Sequence, residues 1–133
     1  MPARQAKAYC VEIEDKPGSL HRFLSQSALS GIDYLCFTAF SCGDNRGRVV
    51  VCPKNPKIFE SFAKEAHIKA TPRAGFIITG KDRLGAAAAV LEGLAESDVP
   101  GIAGAAMACD SGFKLLVVVD PKDANRAKKC FKM

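Results

Sequence analysis

The chain has 133 residues, room for one domain or two very small ones, and its 48% hydrophobic and 25% charged content is ordinary for a globular protein. No apolar run approaches the roughly 20 residues that cross a bilayer, and the N-terminus lacks the apolar stretch of a signal peptide, so a cytoplasmic protein with no membrane partner is expected. Part of the net charge of +5 lies in Arg126, Lys128, Lys129 and Lys132, which read as the solvated face of a C-terminal helix rather than a nucleic-acid surface.

Residues 8–14 set Tyr9, Val11 and Ile13 against Cys10, Glu12 and Glu14, the alternation of a strand. Pro17 and Gly18 break it, Ser19 is a candidate cap, and Leu20, Phe23, Leu24, Ser27 and Ala28 then fall at helical spacing up to Gly31. Residues 32–41 read as a second strand, 42–47 as a hairpin turn and 48–52 as a third strand. A helix over 53–66 places Phe59, Phe62, Ala63 and Ala66 on one face, and 67–71 is a short fourth strand. The order then recurs: a strand at 75–79, a helix at 84–95, a strand at 102–109, a turn at 110–112 and a strand at 114–119. A last helix carries Ala124, Ala127 and Phe131 on one face.

Two landmarks show that this is a repeat. Arg48–Pro53 and Leu116–Pro121 both end an apolar run in proline, then lysine and a helical pattern, 68 residues apart from Pro53 to Pro121. Asp15 and Gly18 find counterparts in Asp82 and Gly85 at an offset of 67. The expected fold is therefore α+β: two tandem ferredoxin-like βαββαβ modules, 1–72 and 73–133, the second lacking its own final strand. Each module has an antiparallel sheet with its helices on one face. Residues 115–119 are apolar without alternation, so the second sheet face is expected to be covered, by packing of the modules, by a homodimer, or by both.

The six cysteines form no CxxC pair, and several sit in apolar runs as small core residues of a reducing compartment. With only His21 and His67 as further soft ligands, neither a metal nor a cofactor is expected. Cys36 and Cys42 are the candidates for redox chemistry, which requires a lowered thiol pKa. No catalytic triad, Walker loop or dinucleotide fingerprint is present, so no enzyme is expected. Gly101, Ile102, Ala103 and Gly104 superficially suggest a phosphate loop but lead into a strand, where small residues permit close packing. RNA-recognition modules share the βαββαβ order, yet the third strands Val49–Val51 and Val117–Val119 carry no aromatic residue for bases to stack on.

The segment Asp15, Lys16, Pro17, Gly18, Ser19 and Leu20, set between a strand and a helix that leads to Gly31, Ile32 and Asp33, resembles the ACT domain family. The likeness covers the first repeat throughout and the second apart from its last strand. In the second, Asp82, Arg83, Leu84 and Gly85 lack the proline. The overall pattern is similar to free-standing tandem ACT proteins, which implies a non-catalytic regulator that binds a small molecule, most often an amino acid, at interfaces between modules. The ligand residues it implies are Asp15, Pro17, Gly18, Ser19 and Leu20 with Ile32 and Asp33 opposite, and Asp82, Leu84 and Gly85 with Gly101 and Ile102 opposite. Asp33 stands where many relatives have asparagine, so it only accepts hydrogen bonds when ionised. The same loop has a physical logic of its own. A glycine before a helix admits close approach, first-turn amides suit a carboxylate, and Asp15 suits an ammonium. The alternative reading is an interaction module whose ligand loops have decayed, which the missing proline fits.

Overall fold

The computed structural model describes residues 2–110 and 112–133, so Ser111, in the middle of the expected second turn, lies outside the described residues. The elements are β1 (Ala3–Glu14), α1 (Ser19–Leu29), β2 (Tyr34–Gly43), β3 (Arg46–Pro53), α2 (Pro56–Glu65) and β4 (Ala70–Lys81). They continue with α3 (Ala86–Glu96), β5 (Gly101–Cys109), β6 (Gly112–Val119), a 3-10 turn at Pro121–Asp123 and α4 (Ala124–Cys130). Among the described residues, six antiparallel strands and four helices make an α+β fold of two ferredoxin-like modules.

The chain divides into two compact units, one of residues 7–72 and one of residues 73–133 together with the start of the chain up to Ala6. The strands expected at 67–71 and 75–79 are a single strand, β4, which runs through Pro72 and passes from one unit to the other. A proline removes one ladder donor but leaves the extended backbone intact. β1 likewise starts earlier than its apolar alternation suggests, and residues 2–6 supply the strand that the second repeat lacks in its own sequence. Thr79 N–H donates to the Pro2 carbonyl at 3.0 Å, and Ala3 packs on the second unit's core.

In the unit of residues 7–72, β3 lies between β1 and β2, with Val51 opposite both Tyr9 and Phe37. The β2–β3 hairpin turns on Asp44 and Asn45, both at positive φ (53° and 60°), as a two-residue type I′ turn requires. Tyr9, Val11, Val49 and Val51 from the sheet meet Phe23 of α1 and Phe59, Phe62 and Ala63 of α2. Asn55 caps α2 by accepting from the Ile58 amide at 3.3 Å, and Pro56 occupies the first turn, where its missing N–H costs nothing. That helix therefore begins after Pro53, which instead ends β3.

The second unit repeats the scheme, with β6 between β4 and β5 and Val117 opposite both Phe76 and Gly104. Its core joins Phe76 and Ile78 of β4, Leu115, Val117 and Val119 of β6, Ala86 and Leu94 of α3, and Ala127 of α4. Arg126 is exposed, as expected of a solvated face, and from there bonds the Asp123 carboxylate and the Ser97 carbonyl. Val49–Val51 and Leu115–Val119 are all buried, so neither β3 nor β6 alternates between a core face and a solvent face. Among the described residues no helix is long and apolar enough to cross a membrane, and no three His, Cys, Asp or Glu side chains cluster as metal ligands would.

Candidate functional site

Two turns, one in each unit, are built alike. Gly18 precedes α1 at φ 89° and Gly85 precedes α3 at φ 79°, both in the left-handed region. A Cβ at either position would meet nothing within 4 Å, so glycine is required by the backbone and not by crowding. These glycines are the caps; Ser19, a cap candidate in sequence, is the first helical residue, and neither helix has a side-chain cap or an acidic residue in its first turn.

The consequence is an open pair of donors at each helix start. Before α3, Ala86 N–H donates to the Arg83 carbonyl at 3.1 Å and Ala89 N–H to the Gly85 carbonyl at 3.0 Å. The amides of Ala87 and Ala88 between them have no partner among the described residues. Before α1, Ser19 N–H donates to the Lys16 carbonyl at 3.2 Å and Arg22 N–H to the Gly18 carbonyl at 2.9 Å, which leaves Leu20 and His21 in the same state. With no acidic residue in either first turn, the helix dipole at each start favours an anion.

The two turns differ in what surrounds them. In the second unit Asp82, Leu84, Gly85, Ala87 and Ala88 line an open cleft of about 600 Å³, walled by Ala106, Met107 and Phe113. Leu84 is fully exposed at its mouth. In the first unit the acidic groups are already engaged. Ser41 Oγ donates to the Asp15 carboxylate, and the Asp15 amide donates to the Asn45 carbonyl at 2.8 Å. Lys54 Nζ meets Asp33 at 2.6 Å, and its hydrogen bond, with that of the Tyr34 amide, holds the Asp33 carboxyl below the usual carboxylate range. His21 is exposed, 3.5 Å from Ser25 Oγ.

Asp15, Pro17, Gly18, Ser19 and Leu20 thus stand together at the start of α1, while Ile32 and Asp33 stand beyond its far end. Asp15 touches Ser41 near the end of β2 and Asp33 precedes its start, so the first unit does not bring the two groups together. Asp82, Leu84 and Gly85 share one cleft of the second unit, and Gly101 and Ile102 line a neighbouring one of about 490 Å³ with Ala87 and Leu91. Ala106, Met107 and Phe113 were not candidates in sequence. The signal for them was the pairing of an alanine-rich helix start, Ala86 to Ala89, with an alanine-rich strand, which leaves volume unfilled.

No family model matches the sequence, and no curated protein does. Solved structures do. A protein from Bacteroides thetaiotaomicron superposes with a TM-score of 0.78 at 18% identity, covering 98% of this chain and 90% of that one. The ligand-free regulatory subunit of aspartate kinase from Thermus thermophilus gives 0.69 at 16% identity, covering 98% and 93%. The aspartate kinase of Clostridium acetobutylicum, described as an allosteric enzyme, gives 0.65 at 18%; the match covers 98% of this chain and 33% of the kinase. At these identities the likeness is one of fold: the chain folds as a regulatory subunit of aspartate kinase does.

Proposed function

We propose that this chain is a non-catalytic, ACT-type regulatory protein that binds a free amino acid at the start of α3. The observation that carries the reading is the cleft of about 600 Å³ in which Asp82 and the unpartnered Ala87 and Ala88 amides face a small apolar wall. An amino-acid zwitterion presents a carboxylate and an ammonium on one carbon, and this cleft has a donor pair for one and a carboxylate for the other. Ala106, Met107 and Phe113 suit an apolar ligand side chain. The matching turn at Asp15, Pro17, Gly18, Ser19 and Leu20 is a second site of the same design, its carboxylate already occupied by Ser41. The regulatory subunits among the structural relatives and the resemblance of Asp15–Leu20 to the ACT loop support the same reading. The same proposal has the protein act in the cytoplasm, with neither nucleic acid nor membrane as partner. Regulation requires that ligand bind two states of the chain unequally, so the ligand acts by population shift.

A second reading, self-association as a homodimer, is favoured by β5. Every residue of this edge strand except Ala103 is exposed, including the large apolar Ile102 and Met107. Sedimentation equilibrium decides it: a monomer at all concentrations removes the dimer.

The experiment for the ligand is a thermal-shift panel of the twenty amino acids. Saturation at one hundred times Kd adds about 2.7 kcal/mol, a rise of about 10 °C for a chain of this size. A selective rise that Asp82→Ala abolishes supports the site. A flat panel on cooperatively melting protein overturns the proposal in favour of the interaction module.

A further inference from the structure

Two cysteines face each other in the unit of residues 7–72. Cys36 on β2 is the direct cross-strand partner of Cys52 on β3, immediately after the bulge that lets Leu35 pass unpaired between Tyr34 and Cys36. Directly opposite residues of an antiparallel pair point to the same face with Cα atoms about 4.5 or 5.5 Å apart, according to the class of pair. Both values fall inside the range of about 4.4–6.8 Å that a disulfide spans. The thiols are free, Cys36 half-buried on an edge strand and Cys52 fully buried beneath it.

From this geometry we propose that Cys36 and Cys52 form a reversible redox site, in which a hydroperoxide oxidises Cys36 and Cys52 resolves it as an intramolecular disulfide. The Cys36 thiolate attacks one peroxide oxygen, the O–O bond breaks, and the released hydroxide takes a proton to become water; Cys36 is then a sulfenic acid. The Cys52 sulfur attacks the Cys36 sulfur and its S–H proton leaves with the sulfenic oxygen as a second water. In sum, two thiols and one hydrogen peroxide give one disulfide and two waters, the sulfurs losing the two electrons that the peroxide gains. The division of labour follows from burial and from one hydrogen bond. The Cys52 thiol donates to the Cys36 sulfur and lowers the Cys36 pKa to about 7 against the opposing effect of burial, while the same bond and its burial push Cys52 up and keep it protonated.

The other cysteines are poorly placed to compete. Cys10 lies opposite Val50, two residues along from Cys52, a diagonal of about 7–8 Å that a disulfide does not bridge without backbone movement. Cys42 sits at the hairpin end of β2, six residues from Cys36 and so about 20 Å away along the strand. Cys130 bonds Ser97 and the Gly93 carbonyl in the other unit. Closing the pair would fasten the first residues of β2, beside the Asp33–Lys54 ion pair, to the end of β3.

The test treats the full reduced chain with one equivalent of hydrogen peroxide, followed by intact mass, thiol titration and non-reducing tryptic mapping. The expected product has lost the mass of two hydrogen atoms, its free thiols have fallen from six to four, and peptide 23–46 is linked to peptide 49–54. Because peptide 23–46 also holds Cys42, the link must persist in Cys42→Ser and disappear in Cys36→Ser, a half-exposed edge substitution that leaves the buried Cys52 in place. Thiols restored to six by dithiothreitol confirm reversibility. Oxygen addition without a link, a link surviving in Cys36→Ser, or a covalent dimer of chains overturns the proposal.

Discussion

The two units share one topology and one turn but fill their cores differently. Tyr9 on the first strand of one unit packs, tilted, against Phe59 of α2 at 4.8 Å between ring centroids. Its counterpart Phe76 packs, tilted, against Phe131, just beyond α4, at 5.2 Å. In the repeat alignment Phe59 matches Ala127 and Ala63 matches Phe131, so the aromatic ring has moved by one helical turn and the small residue has taken its place. Phe59 and Ala127 are both completely buried. Ser27, buried and donating to the Phe23 carbonyl at 2.8 Å, likewise matches the buried Leu94. What the two units hold in common is therefore one aromatic and one small residue a turn apart near the second helix, and the left-handed glycine before the first helix; side-chain identity elsewhere is free to drift.

The largest effect expected from breaking this comparison is at Phe59. Phe59→Ala removes a fully buried ring that contacts Tyr9, Tyr34 and Phe62 and should cost about 3–5 kcal/mol in urea denaturation. Adding Ala63→Phe, which imitates the other unit, should recover part of that loss; no recovery would mean the layers are not interchangeable. Next is the ligand. If Asp82 receives an ammonium, Asp82→Ala should weaken amino-acid binding by about 1.5–3 kcal/mol in calorimetry, and Asp15→Ala by much less because Ser41 already holds that carboxylate. Equal losses would make the two turns equivalent sites.

The glycines test what the units share. Gly18→Ala and Gly85→Ala should each destabilise by about 1–2 kcal/mol, since both positions lie at positive φ and neither is crowded. A marked inequality would assign one of them a role besides backbone geometry. The smallest effect at neutral pH is the hydroxyl that distinguishes Tyr9 from Phe76. Burial, then the hydrogen bond to Glu60 and that carboxylate's charge, push the Tyr9 phenol above its ordinary value. The folded state thus holds the proton longer than the unfolded state. The resulting stability is complete below the unfolded phenol pKa, about 10, and is lost as pH rises from there through the folded value. In Tyr9→Phe the stability measured across this alkaline range should fall less steeply; an unchanged slope would dismiss the phenol as its source.

Much of this was legible in the residues. The 67-residue spacing of Gly18 and Gly85 announced the repeat, and the unalternating apolar run at 115–119 announced a strand buried at every one of those positions. What escaped was long-range pairing. Nothing in Ala3, Arg4, Gln5 and Ala6 marks a strand of the second unit, because an edge strand there needs backbone partners and little apolar surface. The strands read at 67–71 and 75–79 are one, because β4 runs through Pro72, where the two compact units nonetheless divide. At the site, the turn residues were readable because positive φ demands glycine. The cleft wall was not, since an empty volume between small residues leaves no pattern of its own.

Residues 2–6 belong to the compact unit whose other members begin at Arg73. During synthesis at about 5–20 residues per second, the start of the chain leaves the ribosome seconds before β4, its neighbouring strand, does. Until then those backbone groups await a ladder that has not been translated, and the later of the two units is completed by residues made before the earlier one. Vectorial folding is thereby denied a finished second unit until its own final strands are free, which sets a long contact order for an otherwise small fold.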